Sequence, residues 1–157
     1  MNNGRSKRVP SGGLVLASSR GRGVTTRDVS LPVETDLDIV GARQKGRELA
    51  AEMGFSPGDA TLVATAISEL ARNIILYAKR GHITLQALAN SGSRGIAIVA
   101  RDEGPGIPDV RRALEDGYST SRSLGLGLPG VRRLMDEFEI ESEVNRGTRV
   151  TVRKWRK

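Results

Sequence analysis

Apolar residues recur along this chain with two different periods, and the switches between them mark out its elements. Val29 to Val33 reads as a short strand. From Asp36 to Met53, Ile39, Ala42, Gly46, Leu49 and Met53 fall at helical spacing. Thr35 or Asp36 can cap that helix and Gly54 can stop it. Ser56-Pro57 opens a second helix, with Ser as cap and Pro in the first turn. Its stripe is Val63, Ala66, Ile67, Leu70, Ile74 and Tyr77, it runs to about Ala78, and Gly81 ends it. Two strands follow, 83–89 and 95–102, joined by a hairpin-like turn at 90–94. The second, Ile96-Ala-Ile-Val-Ala100, is apolar on both faces and belongs in the middle of a sheet.

A glycine-rich stretch then fills residues 102–130. After it the pattern predicts a helix over 129–137 and a cleanly alternating strand over 138–144. A last strand over 149–152 pairs with that one across a turn at 145–148. The order β-α-α-β-β-loop-α-β-β predicts an α+β two-layer sandwich, a mixed β-sheet with helices on one face.

Composition narrows the function classes. A chain of 157 residues fits one domain. The absence of cysteine removes thiol chemistry, and a single histidine, His82, leaves a His-rich metal site or a Ser-His-Asp triad without support. No apolar run is long enough to cross a membrane and the start lacks a signal-peptide core, so the expectation is a cytoplasmic protein with no membrane partner. The net charge is +7, but residues 1–30 hold six basic side chains against one acidic, and the last five residues hold four basic ones. The middle of the chain is slightly acidic, and aromatic residues are scarce. A basic patch with a stacking platform is therefore missing, and no nucleic-acid partner is expected. Residues 1–28, rich in Gly, Ser and Arg, read as a flexible basic tail ahead of a domain over 29–157.

Three places carry candidate chemistry. Glu69 and Asn73 are four apart on the long helix, neighbours on one face at the border of its apolar stripe. A carboxylate beside a carboxamide can hold a proton and an oxygen-loving cation such as Mg2+, although the same pair also suits a solvated helix edge. Asp102 ends a central strand, where it can accept a hydrogen bond from a ligand, and Gly104 and Gly106 let the backbone pass close to a flat ring. Asp-Glu-Gly-Pro is equally a plain turn. Gly125-Leu126-Gly127 precedes a helix, whose exposed amides and dipole favour an anion, though this is neither a Walker loop nor a Rossmann turn. The polar segment between, 117–123, can close over phosphates as a lid.

The order of these motifs is more specific than any one of them. E-x-x-x-N on a helix, D-x-G-x-G after a strand, G-x-G before a helix and Gly147-Thr148 between the final strands resemble the GHKL ATPase superfamily, which shares the Bergerat ATP-binding fold. Within it, the strings at 67–73, 102–109, 115–121 and 127–136 look like the small serine/threonine switch kinases of the RsbT type. The resemblance implies ATP and Mg2+ as cofactors. It implies that Asn73 coordinates Mg2+, that Glu69 orients or deprotonates the attacking hydroxyl, and that Asp102 accepts from the adenine amino group. Thr148 supports adenine, Gly104 and Gly106 line the base, and Gly125, Leu126 and Gly127 hold phosphate. Arg122, in the lid, is placed by its charge near the γ-phosphate. Implied partners are STAS-domain proteins as substrates and a PP2C-type serine phosphatase as activation target. The main alternative is an anti-sigma factor of the RsbW or SpoIIAB kind, which holds a sigma factor. A pure binding module with ATP as a structural ligand is a third reading, which the paired Glu69 and Asn73 disfavour.

Overall fold

The computed structural model describes residues 13–18, 24–115 and 126–157. Ten elements follow one another: β1 (Gly13–Ser18), β2 (Val24–Val33), α1 (Asp36–Glu52), α2 (Pro57–Ala78), β3 (Gly81–Asn90), β4 (Ser93–Asp102), α3 (Val110–Ala113), α4 (Gly127–Leu134), β5 (Glu137–Glu143) and β6 (Gly147–Trp155). Six strands form one sheet in the order β1-β5-β6-β4-β3-β2.

The two-layer α+β sandwich stands, with one refinement to the sheet. Every pair of neighbouring strands is antiparallel, where a mixed sheet was expected. A strand that returns after a crossover helix usually lies parallel beside the strand it left. Here β5 returns through α4 but pairs with β6, and β6 inserts between β5 and β4. The parallel pair is thus never adjacent.

The helices lie on one face and the core fills the layer between. Ile96, Ile98 and Ala100 of β4 alternate into it, as do Ile83 and Leu85 of β3, Phe138 and Ile140 of β5, and Val150 and Val152 of β6. From α2 come Val63, Ala66, Ile67, Leu70 and Ile74, all buried, whereas Tyr77, the end of the expected stripe, is 41% exposed. Thr35 caps α1 in a capping box with Asp38, and Ser56 caps α2 ahead of Pro57. Lys79, with φ 74°, ends α2 two residues before the expected Gly81. The β3–β4 hairpin turns on Ser91 and Gly92, both at positive φ, as a two-residue loop that follows the strand twist requires.

The ends of the chain depart from expectation. Residues 13–18 pair along β5, and β2 begins at Val24, so parts of the segment read as a tail belong to the sheet. The remaining tail residues, 1–12 and 19–23, lie outside the described residues. The basic C-terminal run begins inside β6. Arg153, in β6, pairs with Glu137 at 3.3 Å and Glu139 at 3.2 Å, and Lys154 pairs with Asp136 at 3.5 Å. Glu137 is 2% exposed and also accepts from Trp155 Nε1 at 2.7 Å.

Candidate functional site

The sheet and α2 meet at one end of the molecule around a cavity of about 430 Å³. Antiparallel register sets its floor: Asp102, the last residue of β4, lies opposite Thr148 on β6 and Gly81 on β3. Its wall is α2, where Leu70, Asn73, Ile74 and Tyr77 face the opening at helical spacing. The turn after β4 closes the far side with Pro105, Gly106 and Ile107. The lining is mostly apolar with a few polar groups converging, the make-up of a small-molecule site.

Asp102 Oδ1 accepts from the Gly104 N–H at 2.9 Å, which folds the turn back on the strand end. Burial pushes the Asp102 carboxyl above the ordinary aspartate range, against the opposing pull of the Gly104 and Thr148 N–H groups. Gly106 has φ 78°, and a side chain there would overlap the Glu143 backbone, so the turn needs glycine to lie against the β5 end. The Asn145 N–H donates to the Pro105 carbonyl at 2.7 Å, tying the β5–β6 turn to the same wall. Among the described residues none hydrogen-bonds to the Asn73 side chain, which lines the cavity from α2.

Not every expected site residue lines the cavity. Asn73, Asp102, Gly106 and Thr148 do, and Gly104 sits just behind Asp102, 2.9 Å from Ala78 Cα if given a Cβ. Glu69 is only 6% exposed and faces α4. Its Oε1 accepts from the Gly127 N–H at 3.2 Å and its Oε2 from Arg72 Nη1 at 2.8 Å. Leu126 precedes α4 and is exposed at its N-terminus. Arg122, Gly125 and the lid expected over 117–123 lie outside the described residues.

One polar residue escaped the sequence reading. The Ser142 hydroxyl accepts from the Ile107 N–H at 2.7 Å and lies 2.8 Å from Thr148 Oγ1. It therefore links β5, β6 and the Asp102 turn behind the floor of the cavity. The signal was in the alternation: Phe138, Ile140 and Ser142 share the inward face, and a serine at an inward position needs a partner.

Residues 32–154 match the family described as a histidine kinase-like ATPase domain. The serine/threonine-protein kinase RsbT of Bacillus subtilis is 54% identical over 123 residues, which cover 78% of this chain and 92% of that protein. An anti-sigma F factor of Geobacillus stearothermophilus is 30% identical over 120 residues, covering 72% of this chain and 81% of that one. Among solved structures, the RsbU and RsbW domains of a Mycobacterium tuberculosis protein share the fold, with a TM-score of 0.55 at 22% identity. That match covers 84% of this chain and 34% of the crystallised one. With its sheet, its cavity and these relatives in view, the chain belongs to the histidine kinase-like ATPase family, in the branch of the serine/threonine-protein kinase RsbT.

Proposed function

We propose that this protein is a protein kinase that transfers the terminal phosphoryl group of ATP, with Mg2+, to a serine or threonine of a STAS-domain partner. In the same reading, release from that partner frees it to activate a PP2C-type phosphatase in a stress-response switch. The observation that carries the reading is the convergence of the Asp102–Thr148 pair and the Asn73 carboxamide on one cavity, in a chain 54% identical to a serine/threonine kinase.

The roles are those the resemblance implies, and the positions of the described residues are compatible with them. Asp102 accepts from the adenine amino group, with Thr148 beside it on the neighbouring strand and Gly104 and Gly106 flanking the ring. Mg2+ takes oxygen donors, few of them from protein where phosphates complete its shell, so one carboxamide without a side-chain partner among the described residues fits in the cavity wall. When bound, the cation offsets charge on the phosphates. Gly127 opens α4 with its amide at the helix N-terminus, and with Leu126 and Gly125 it holds phosphate there. Arg122 approaches the γ-phosphate. Glu69 takes the proton of the attacking hydroxyl once it leaves its place against α4.

Incubation with labelled ATP, Mg2+ and a STAS-domain protein is expected to place label on one serine or threonine. Absence of transfer together with retention of a sigma factor in a pull-down would instead favour the anti-sigma reading, to which the 30% identical relative lends support.

Base recognition gives two further expectations. Asp102→Asn keeps the size but aims a donor at the amino group, so adenosine and ATP should both bind at least about tenfold more weakly by calorimetry. Undiminished adenosine binding in that variant excludes Asp102 as the acceptor. The raised Asp102 pKa also sets a pH dependence. The carboxyl protonates at a higher pH than an ordinary aspartate, and the acid form presents a proton to the amino group. Adenosine affinity should thus fall as pH drops through that raised range. For the empty protein the sign reverses. The folded state holds this proton more tightly than the unfolded state, so the stabilising contribution is full below the unfolded pKa and lost as pH rises through the folded one.

A further inference from the structure

The eight-residue helix α4 begins without a side-chain cap from Leu126. Its opening amide is nevertheless satisfied, by Glu69 of α2, which reaches across with Oε1 while Arg72 holds Oε2. That carboxylate is buried and outside the cavity lining, although Leu70 and Asn73, its neighbours on α2, line the cavity. A single N–H serves one strong acceptor well. If a phosphate oxygen is to use the Gly127 amide, the carboxylate must leave it. A triphosphate, with more charge, is the stronger ligand for a helix N-terminus.

We propose that Glu69 is the resident anion of the α4 N-terminus, displaced from the Gly127 N–H when a triphosphate enters, and that Arg72 is the positioning residue that keeps the released carboxylate beside the cavity. The proposal rests on the nucleotide-binding reading above and deepens it. Glu69 is then held away from the cavity until phosphate arrives, so the group that takes the hydroxyl proton becomes available only when there is a phosphoryl group to transfer. Arg72 stays one helical turn from Glu69 and within reach of it throughout.

The test compares a non-hydrolysable ATP analogue with adenosine, both in Mg2+, on the wild-type protein, Glu69→Ala and Glu69→Gln. With the internal competitor gone, the analogue should bind Glu69→Ala about tenfold more tightly, while adenosine binding is unchanged. The Gly127 amide resonance should move on adding the analogue but not adenosine, and in ligand-free Glu69→Gln it should already be displaced. Arg72→Ala should lower kcat with the KM for ATP unchanged, and Arg72→Lys should recover part of it. The competition is overturned if the analogue binds folded Glu69→Ala no better than wild type, or if it leaves the wild-type Gly127 resonance unmoved. The second readout decides the matter even where the alanine variant does not fold. Failure of both ligands to bind the wild-type protein overturns the nucleotide reading itself. An Arg72→Ala variant with wild-type kcat removes Arg72 from the scheme.

Discussion

Asn73→Ala is expected to abolish Mg2+-dependent phosphoryl transfer while leaving the fold intact. The side chain sits half-exposed on the cavity side of α2 and bonds to no other described residue, so its loss opens no hole in the core. Alanine is also the best helix former, so α2 itself gains slightly. Transfer, by contrast, loses the one protein oxygen proposed to hold the cation against the phosphates. Removing a single group that meets developing charge typically costs about a hundredfold to a thousandfold in kcat, and the loss here should reach at least that range. The check is paired: phosphorylation of the partner by gel autoradiography, and thermal unfolding of the same preparation. A variant with wild-type turnover would falsify the assignment of Asn73. A variant with a Tm lowered by many degrees would instead show that the residue serves the fold.

A second large effect belongs to Gly147, where β5 turns into β6. Its φ is 121°, a conformation side chains rarely adopt, and a methyl group there would overlap the Asp102 carbonyl oxygen and lie 2.8 Å from Glu103 Cα. Both obstacles are backbone, and both belong to the strand end that carries the proposed base acceptor. Gly147→Ala should therefore destabilise the protein by about 3 kcal/mol or more, combining backbone strain with displacement of β4 from β6. Nucleotide binding should weaken with it, because Asp102 and Thr148 keep their spacing only through that register. Gly92→Ala provides the control. Gly92 also has positive φ, 88°, but its missing side chain would meet nothing within 4 Å. It should cost about 1 kcal/mol and leave binding untouched. Equal losses in the two variants would mean that strain alone matters and the close approach to Asp102 does not.

Most of the architecture was legible because the chain states its periods clearly. The α2 stripe through Val63, Ile67, Leu70 and Ile74 and the doubly apolar β4 placed the main helix and the central strand correctly. The antiparallel neighbours were not legible, since alternation reveals which face a strand buries but not which strand slides in beside it. The strand at 13–18 was hidden by a composition typical of tails; edge pairing satisfies backbone groups and asks little of the sequence. At the site, the motifs behind the family resemblance named Asn73, Asp102, Gly106 and Thr148, and all four line one cavity. It missed the inward turn of Glu69, because helical geometry predicts a neighbour of Asn73 but not a partner on α4. Ser142 was overlooked for a similar reason: its importance lies in Ile107 and Thr148, contacts that only the folded sheet supplies.

Trp155 is the one tryptophan in the chain, at the far end of β6 from Thr148. Seven residue steps of extended strand separate the two, roughly 24 Å. Its indole nitrogen is anchored on Glu137, and its ring lies against Gly95. The protein thus carries a built-in fluorescent label placed away from the cavity beside α2. Its emission should follow unfolding of the sheet while staying blind to ligand, so titrations and melts can be read from one sample without a dye.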